Sequence, residues 1–210
     1  MGVGLAVGAY GFAFGAAAVS AGLSVFQACV LSLAAFTGGT QFAVVGVVAG
    51  GGGAGAALAS GLLLGSRNTL YGMRMAPLLR VRGPRRLLAA LGTIDETTAM
   101  AQAQQTPALA RSAYWWTFGG VYAFWNLATL LGALAGSIVD PIRFGLDAVV
   151  PAAFLALLGP RLRSSKLDRR IALAGAVIAA LLIPVTPAGV PVLAATAALL
   201  LAVRTRGQAS

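Results

Sequence analysis

The stretch 87-LLAALGTIDETTAMAQAQQ-105 sets two acids, Asp95 and Glu96, side by side in a segment that carries no other charge. Only five acids occur in the 210 residues. Carboxylates in apolar surroundings are costly unless they are neutralised, capped or used. The surroundings are apolar throughout: no charged residue occurs from Met1 to Ser66, from Ser112 to Val139 or from Ile171 to Val203. The chain is 59% hydrophobic and 10% charged, with a mean hydropathy of +0.87. A soluble domain carries about a quarter of its residues as charges. This composition is that of a membrane protein, and Ala/Leu/Gly runs without period-two alternation make its spans helical.

The net charge of +10 is concentrated in short clusters between the apolar runs. Arg74, Arg80, Arg82, Arg85 and Arg86 form one cluster; Arg161, Arg163, Lys166, Arg169 and Arg170 form another; Arg204 and Arg206 close the chain. Basic rims at helix ends obey the positive-inside rule and do not make the continuous surface that nucleic acid requires, so no nucleic-acid partner is expected. Cys29 is the single cysteine and there is no histidine, which excludes a disulfide framework, thiolate or imidazole metal sites and Ser-His or Cys-His catalysis. No cofactor is expected. The first residues are apolar without a basic lead, so a cleaved signal peptide is not expected.

Helix punctuation predicts spans at 3–22, 25–49, 55–79, 113–138, 142–160, 169–184 and 190–204. Ser24 with Gln27 and Ser165 with Asp168 read as capping boxes, and Thr106-Pro107 and Asp140-Pro141 read as capped helix starts. With both large basic clusters inside, the third and fifth spans end in the cytoplasm, the C-terminus is cytoplasmic and the N-terminus is outside. The opening segment, 87–110, then begins and ends on the cytoplasmic side. It must be re-entrant, broken or interfacial, and irregular backbone at membrane depth is tolerated only inside protein or against a watery cavity. Phe14 to Ser20 resembles Leu131 to Ser137, and Ala34-Ala35-Phe36 resembles Ala152-Ala153-Phe154, which suggests repeat halves 1–80 and 113–190 running in opposite directions. The expected fold is an all-α polytopic membrane protein, a single transporter domain over 1–210. It has about seven transmembrane helices plus a re-entrant or broken segment, with an inverted repeat.

Gly4, Gly8, Gly11 and Gly15 share one helical face, and Gly61 with Gly65 and Gly132 with Gly136 repeat the spacing; close helix packing is their ordinary use. Three places go beyond packing. In 38-GGTQF-42, two glycines with Thr40 and Gln41 loosen a helix inside a charge-free run, either to meet neighbouring helices or to present backbone to a ligand. In Leu62 to Pro77, Arg67 and Asn68 precede Tyr71, Arg74 and Pro77. Arg74 snorkels at the cytoplasmic end. Arg67 lies two turns deeper and needs a carboxylate, from Asp95 or Asp147 or from a substrate. In the opening pair, Thr93 and Glu96 fit the capping box S/T-x-x-E, restarting a helix after Gly92, which leaves Asp95 to bind an ammonium, a coupling proton or Arg67.

These places resemble the AzlC-type large subunit of branched-chain amino-acid exporters. The resemblance runs in order through Phe14-Gly15, Gly22-Leu23-Ser24, Gly38 to Phe42, and Arg67 with Leu70-Tyr71-Gly72 and Ala76-Pro77. It continues through Asp95-Glu96, Trp125 with Thr129 and Gly132, and Gly145-Leu146-Asp147 with Pro151 to Phe154. The chain departs from the family pattern at Asn68, where many relatives have histidine, so no proton relay is inferred there. It departs again at Ile94, inserted within Thr-Asp-Glu, and in a short lead-in before the first helix. The resemblance implies a proton-driven exporter of valine, leucine, isoleucine and methionine in the bacterial cytoplasmic membrane, working with a small AzlD-type membrane subunit. The residues expected near the solute path are Thr40, Gln41, Arg67, Asn68, Tyr71, Asp95, Glu96 and Asp147. Two alternatives stay open, a non-transporting scaffold and a carrier of another small amphipathic solute; an intramembrane enzyme has no Ser-Lys or Asp-Asp arrangement to support it.

Overall fold

The structure is a computed structural model and describes residues 2–138, 155, 158–159, 162–186 and 190–199, with side chains from Val7 onward. Its longest element, α8 (Pro107–Ile138), starts where the Thr106 hydroxyl accepts the Leu109 amide at 3.3 Å and Pro107 takes a first-turn position. Its 32 residues make about 48 Å of helix, more than the ~30 Å hydrocarbon core of a bilayer. Among the described residues it is the one helix long and apolar enough to cross a membrane by itself. Tyr114, Val121, Trp125, Thr129 and Ala133 face inward, while Leu127, Leu131, Ile138 and Trp116, 81% exposed, cover the outside. An outer surface of that chemistry suits lipid.

Helix α1 (Gly2–Ser20) lies against α8 with the backbones touching. A Cβ on Gly15 would collide with the Thr129 carbonyl oxygen, and one on Gly132 with that of Phe12. The glycine faces read in the sequence are therefore packing faces. Gly8 meets Phe124, Gly11 meets Trp125, Gly15 meets Thr129 and Ala133, and Gly136 meets Ala16. These pairs climb together, so α1 and α8 are parallel. The similar stretches Phe14 to Ser20 and Leu131 to Ser137 thus run side by side in one direction, against the opposite directions expected.

Helix α2 (Val25–Ala34) is opened by the Ser24–Gln27 capping box, with reciprocal bonds of 3.2 and 2.8 Å. It descends along α8: the Ser32 hydroxyl bonds that of Thr129 at 3.2 Å, and the Leu33 carbonyl accepts the Tyr122 hydroxyl at 3.2 Å. Phe36 then meets Phe118 and Tyr122. At Gly38 the backbone takes φ +61°, open to glycine because it has no Cβ. The chain turns back, and α3 (Gly39–Ala49) climbs antiparallel to α4 (Ala54–Gly65), with Thr40 beside Gly65 and Val44 beside Gly61. Residues 25–49 are thus two half-helices that enter and leave at one end, where the sequence reading expected one span. Gly38-Gly39 provides the reversal, and no charge in the segment marks which end it returns to.

Helix α5 (Arg67–Leu79) continues α4 through Ser66, which keeps right-handed helical angles and bonds the Leu63 carbonyl at 2.6 Å. The expected span 55–79 is this stacked pair. It descends until Met75 and Leu79 pack with Ala110 and Tyr114. Helix α6 (Arg85–Leu91) rises from the basic cluster and α7 (Asp95–Gln102) returns, placing Ala101 with Ala110 in the same cluster as Met75. The segment 87–110 holds a helical hairpin that starts and ends at the basic end of the bundle, the broken form among those expected. Between residues 2 and 138 every charge lies at the level of Arg67 or closer to the basic end. Helix α1 starts at that basic end; the opposite end expected for it came from counting 25–49 as a crossing.

Among the described residues two further α-helices of more than one turn follow. Helix α9 (Lys166–Leu182) is capped by the Ser165 hydroxyl accepting the Asp168 amide at 3.1 Å. It packs at Gly175 against Ala195 and Ala198, at and beyond the end of α10 (Val190–Ala195), and α10 meets α4. They cover the residues expected as spans 169–184 and, in part, 190–204, and neither is by itself long and apolar enough to cross a membrane. Most of the expected span 142–160, the Gly145 to Phe154 motif with Asp147, the Asp140-Pro141 start and the terminal arginines lie outside the described residues.

Candidate functional site at the meeting of the hairpin tips

The two helical hairpins, α2–α3 and α6–α7, enter the bundle from opposite ends, and their tips meet inside it. Between them is a cavity of about 390 Å³, within the usual range for a small-molecule site. One tip contributes Phe36, Thr37, Gly38 and Gly39; the other contributes Ile94, Asp95 and Glu96. Arg67, at the α4–α5 junction, touches both. Its Nη1 donates to Asp95 Oδ2 at 2.9 Å and its Nη2 to the Thr37 carbonyl at 3.4 Å. The remaining wall is apolar, formed by Phe42, Val121 and Trp125, with Val7 and Tyr10 from α1. Phe14 fixes two of these rings from behind, meeting Phe42 edge-on with centroids 5.6 Å apart and stacking on Trp125 at 6.2 Å.

Each tip is held by a different device. At the first, the fully buried Gln41 folds back: its Oε1 accepts the Gly38 amide at 3.1 Å and its Nε2 donates to the Leu31 carbonyl at 3.3 Å. That strap leaves the first amides of α3, at Gly39, Thr40 and Gln41, ahead of the helix's own ladder. At the second tip the Thr93–Glu96 capping box is not formed. Ile94 is the N-cap, and Thr97 closes the turn, its hydroxyl accepting the Ile94 amide at 3.1 Å and donating to the Gly92 carbonyl at 2.6 Å. The Thr93 and Tyr114 hydroxyls instead gather at the Ala89 carbonyl, Thr93 within 2.6 Å of it and 3.0 Å from Tyr114, so two protons are shared among the three contacts. With Ile94 as the N-cap, the residue three places on is Thr97 rather than Glu96, so the Thr93–Glu96 pair falls out of register. Asp95 and Glu96 occupy the first turn of α7, where the helix dipole favours negative charge.

The geometry therefore collects Arg67, Asp95 and Glu96 around one cavity. The ion pair is partly open, its side chains 33% and 44% exposed. Pairs of that exposure contribute little to stability. Thr40 and Gln41 stand behind the first tip, Thr40 against Gly65 and Gly61 and Gln41 as the strap. Asn68 and Tyr71, half-buried on α5, do not line the cavity. Asp147 is outside the described residues. Sequence reasoning missed Thr37, Thr97, Tyr114 and the cavity role of Trp125. A threonine directly before Gly38-Gly39 and a tryptophan on a charge-free helix were the available signals.

Several polar atoms facing this region are buried without a hydrogen-bond partner: Arg67 Nε, Asp95 Oδ1, Thr37 Oγ1 and Trp125 Nε1. A buried polar atom left unsatisfied costs about 1–3 kcal/mol. The site is thus prepared to receive opposite charges at neighbouring points, with an apolar wall beside them.

Comparison with known proteins gives the same family as the motifs. The sequence profile described as AzlC protein matches residues 2–139. The chain is 27% identical over 156 residues to the inner membrane protein YgaZ of Escherichia coli K12, covering 70% of this chain and 64% of that protein. It is 26% identical over 149 residues to the branched-chain amino acid transport protein AzlC of Bacillus subtilis 168, covering 70% of this chain and 59% of that one. The matches thus span less than two thirds of either relative. No solved structure matches.

Proposed function

The chain belongs to the AzlC family, and we propose from that premise that it is a subunit of a secondary transporter exporting branched-chain amino acids across a bacterial cytoplasmic membrane. The observation that carries this reading is the cavity at the two hairpin tips, with Arg67, Asp95 and Glu96 on one side and Phe42, Val121 and Trp125 on the other. Broken helices that meet near the midplane are the usual setting of solute sites in secondary transporters. A charged corner beside an apolar wall suits a small amino acid with an aliphatic side chain. The name of the Bacillus subtilis relative supports the substrate class.

In this proposal the basic end of the bundle and the C-terminus face the cytoplasm, and the chain crosses the membrane several times. The confinement of all charge between residues 2 and 138 to one half supports that orientation. Export is coupled to protons, with Asp95 giving up and regaining one as access alternates. A small AzlD-type membrane subunit completes the carrier; family membership and the broad apolar faces of α4 and α8 support it.

The test is efflux of labelled valine from cells expressing the chain with and without its small partner, followed by vesicles under an imposed pH gradient. Efflux that needs this chain supports the proposal. Equal efflux without it would mean a scaffold at most. Asp95→Asn at normal protein level is expected to abolish the response to the gradient, and an unchanged response removes the coupling role.

A further inference from the structure

We propose that the cavity holds its amino acid by the zwitterionic head, inserted between Arg67 and Asp95 in place of their direct contact. This rests on the transport reading and specifies what the site recognises. The pair is half-made. Arg67 bonds Asp95 through Nη1 alone, Asp95 answers through Oδ2 alone, and Arg67 Nε and Asp95 Oδ1 are buried without partners. Guanidinium presents planar forks that carboxylates fill with two bonds at once. An α-carboxylate on the Nε edge of Arg67 satisfies that edge, and the ammonium beside it reaches the free oxygen of Asp95.

Neighbouring groups fit the same arrangement. Gly39, the first residue of α3, lines the cavity, and a helix N-terminus favours an anion. Glu96 lies beside Asp95 on the cation side, and the Thr37 carbonyl is an acceptor held only at 3.4 Å. The apolar wall at Phe42, Val121 and Trp125 receives the side chain. A simple anion would satisfy Arg67 and strand Asp95; a simple cation would do the reverse. Opposite charges one carbon apart satisfy both. Because Arg67 links the tip at Thr37 to the tip at Asp95, the bound head becomes the joint between the two hairpins.

The test is calorimetric titration of the full chain in lipid nanodiscs with valine, valinamide, which lacks the carboxylate, and 2-hydroxyisovalerate, which lacks the ammonium. Valine is expected to bind, and each analogue to bind about tenfold or more weakly, the loss that goes with one charge-assisted hydrogen bond. Asp95→Asn should weaken valine while leaving 2-hydroxyisovalerate unchanged, and Arg67→Gln should weaken valine while leaving valinamide unchanged. Analogue binding equal to that of valine on the unaltered protein overturns the inference and leaves the transport reading intact. Binding of alanine or serine with the same head-group dependence, and none of valine, upholds the inference and removes the branched-chain substrate. Binding of no amino acid overturns both.

Discussion

The two helical hairpins are built on one plan from opposite chemistry. The first, α2–α3, contains no charge, and its tip is a glycine reversal strapped by Gln41. The second, α6–α7, carries Asp95 and Glu96 in its returning helix and is fastened to α8 through Thr93 and Tyr114. A neutral tip exposes helix amides and a carbonyl, which favour or tolerate small charged groups without imposing a net charge of their own. A charged tip demands a counter-ion, which Arg67 supplies from a third element. The asymmetry teaches how a bundle so poor in charge makes a polar site: backbone serves one side, side chains the other, and one arginine joins them.

Replacing that arginine breaks the comparison most completely. Arg67→Gln leaves Asp95 unpaired at the tip and should lower labelled-valine transport by about 100-fold, the scale expected when one member of a close charge pair is truncated. The neutral tip is attacked by Gly38→Val, which puts a branched Cβ at φ +61°. That substitution should cost about 1–2 kcal/mol, read as a lower unfolding temperature in detergent, with a transport loss smaller than that of Arg67→Gln. The charged tip is loosened more gently by Tyr114→Phe, which removes the hydroxyl bonded to Ala89 and Thr93. It should cost about 1 kcal/mol and appear as a raised KM for export with the maximal rate largely kept. Ser24→Ala sharpens the contrast as a control at the far end of the first hairpin. Losing that exposed cap should cost at most about 1 kcal/mol and leave transport unchanged.

The legibility of the two hairpins in the sequence follows from the same asymmetry. Residues 87–110 could be read as re-entrant because arginines before it fix the side from which it departs, and topology fixes the side to which it returns. Residues 25–49 offer no such marks. A run of Ala, Val and Gly looks alike whether it crosses or turns back, and only the conformation of Gly38 decides. That one difference also reversed the expected direction of α1. At the site, Arg67 and Asp95 were legible because isolated charges in an apolar chain must be accounted for, and they are found bonded to each other. Thr40 and Gln41 were legible as polar but not as supports, since a side chain that straps its own backbone has the same composition as one that faces a ligand. Thr97 and Tyr114 were hidden because their hydroxyls serve carbonyls distant in sequence or freed by a helix break that only the folded chain reveals.

The glycine seam between α1 and α8 has a mechanical consequence. Where Gly15 rests on the Thr129 carbonyl and Gly132 on that of Phe12, no layer of side chains lies between the two helices to shear. Interdigitated backbones resist sliding, because any displacement lifts one helix over the ridges of the other. The pair therefore acts as a fixed post at the centre of the bundle. In the proposed transport cycle, changes of access would come from elements bearing on it through rings and hydroxyls, namely the two half-length hairpins and the continuous α4–α5 rod, whose junction at Ser66 stands beside the arginine that links them.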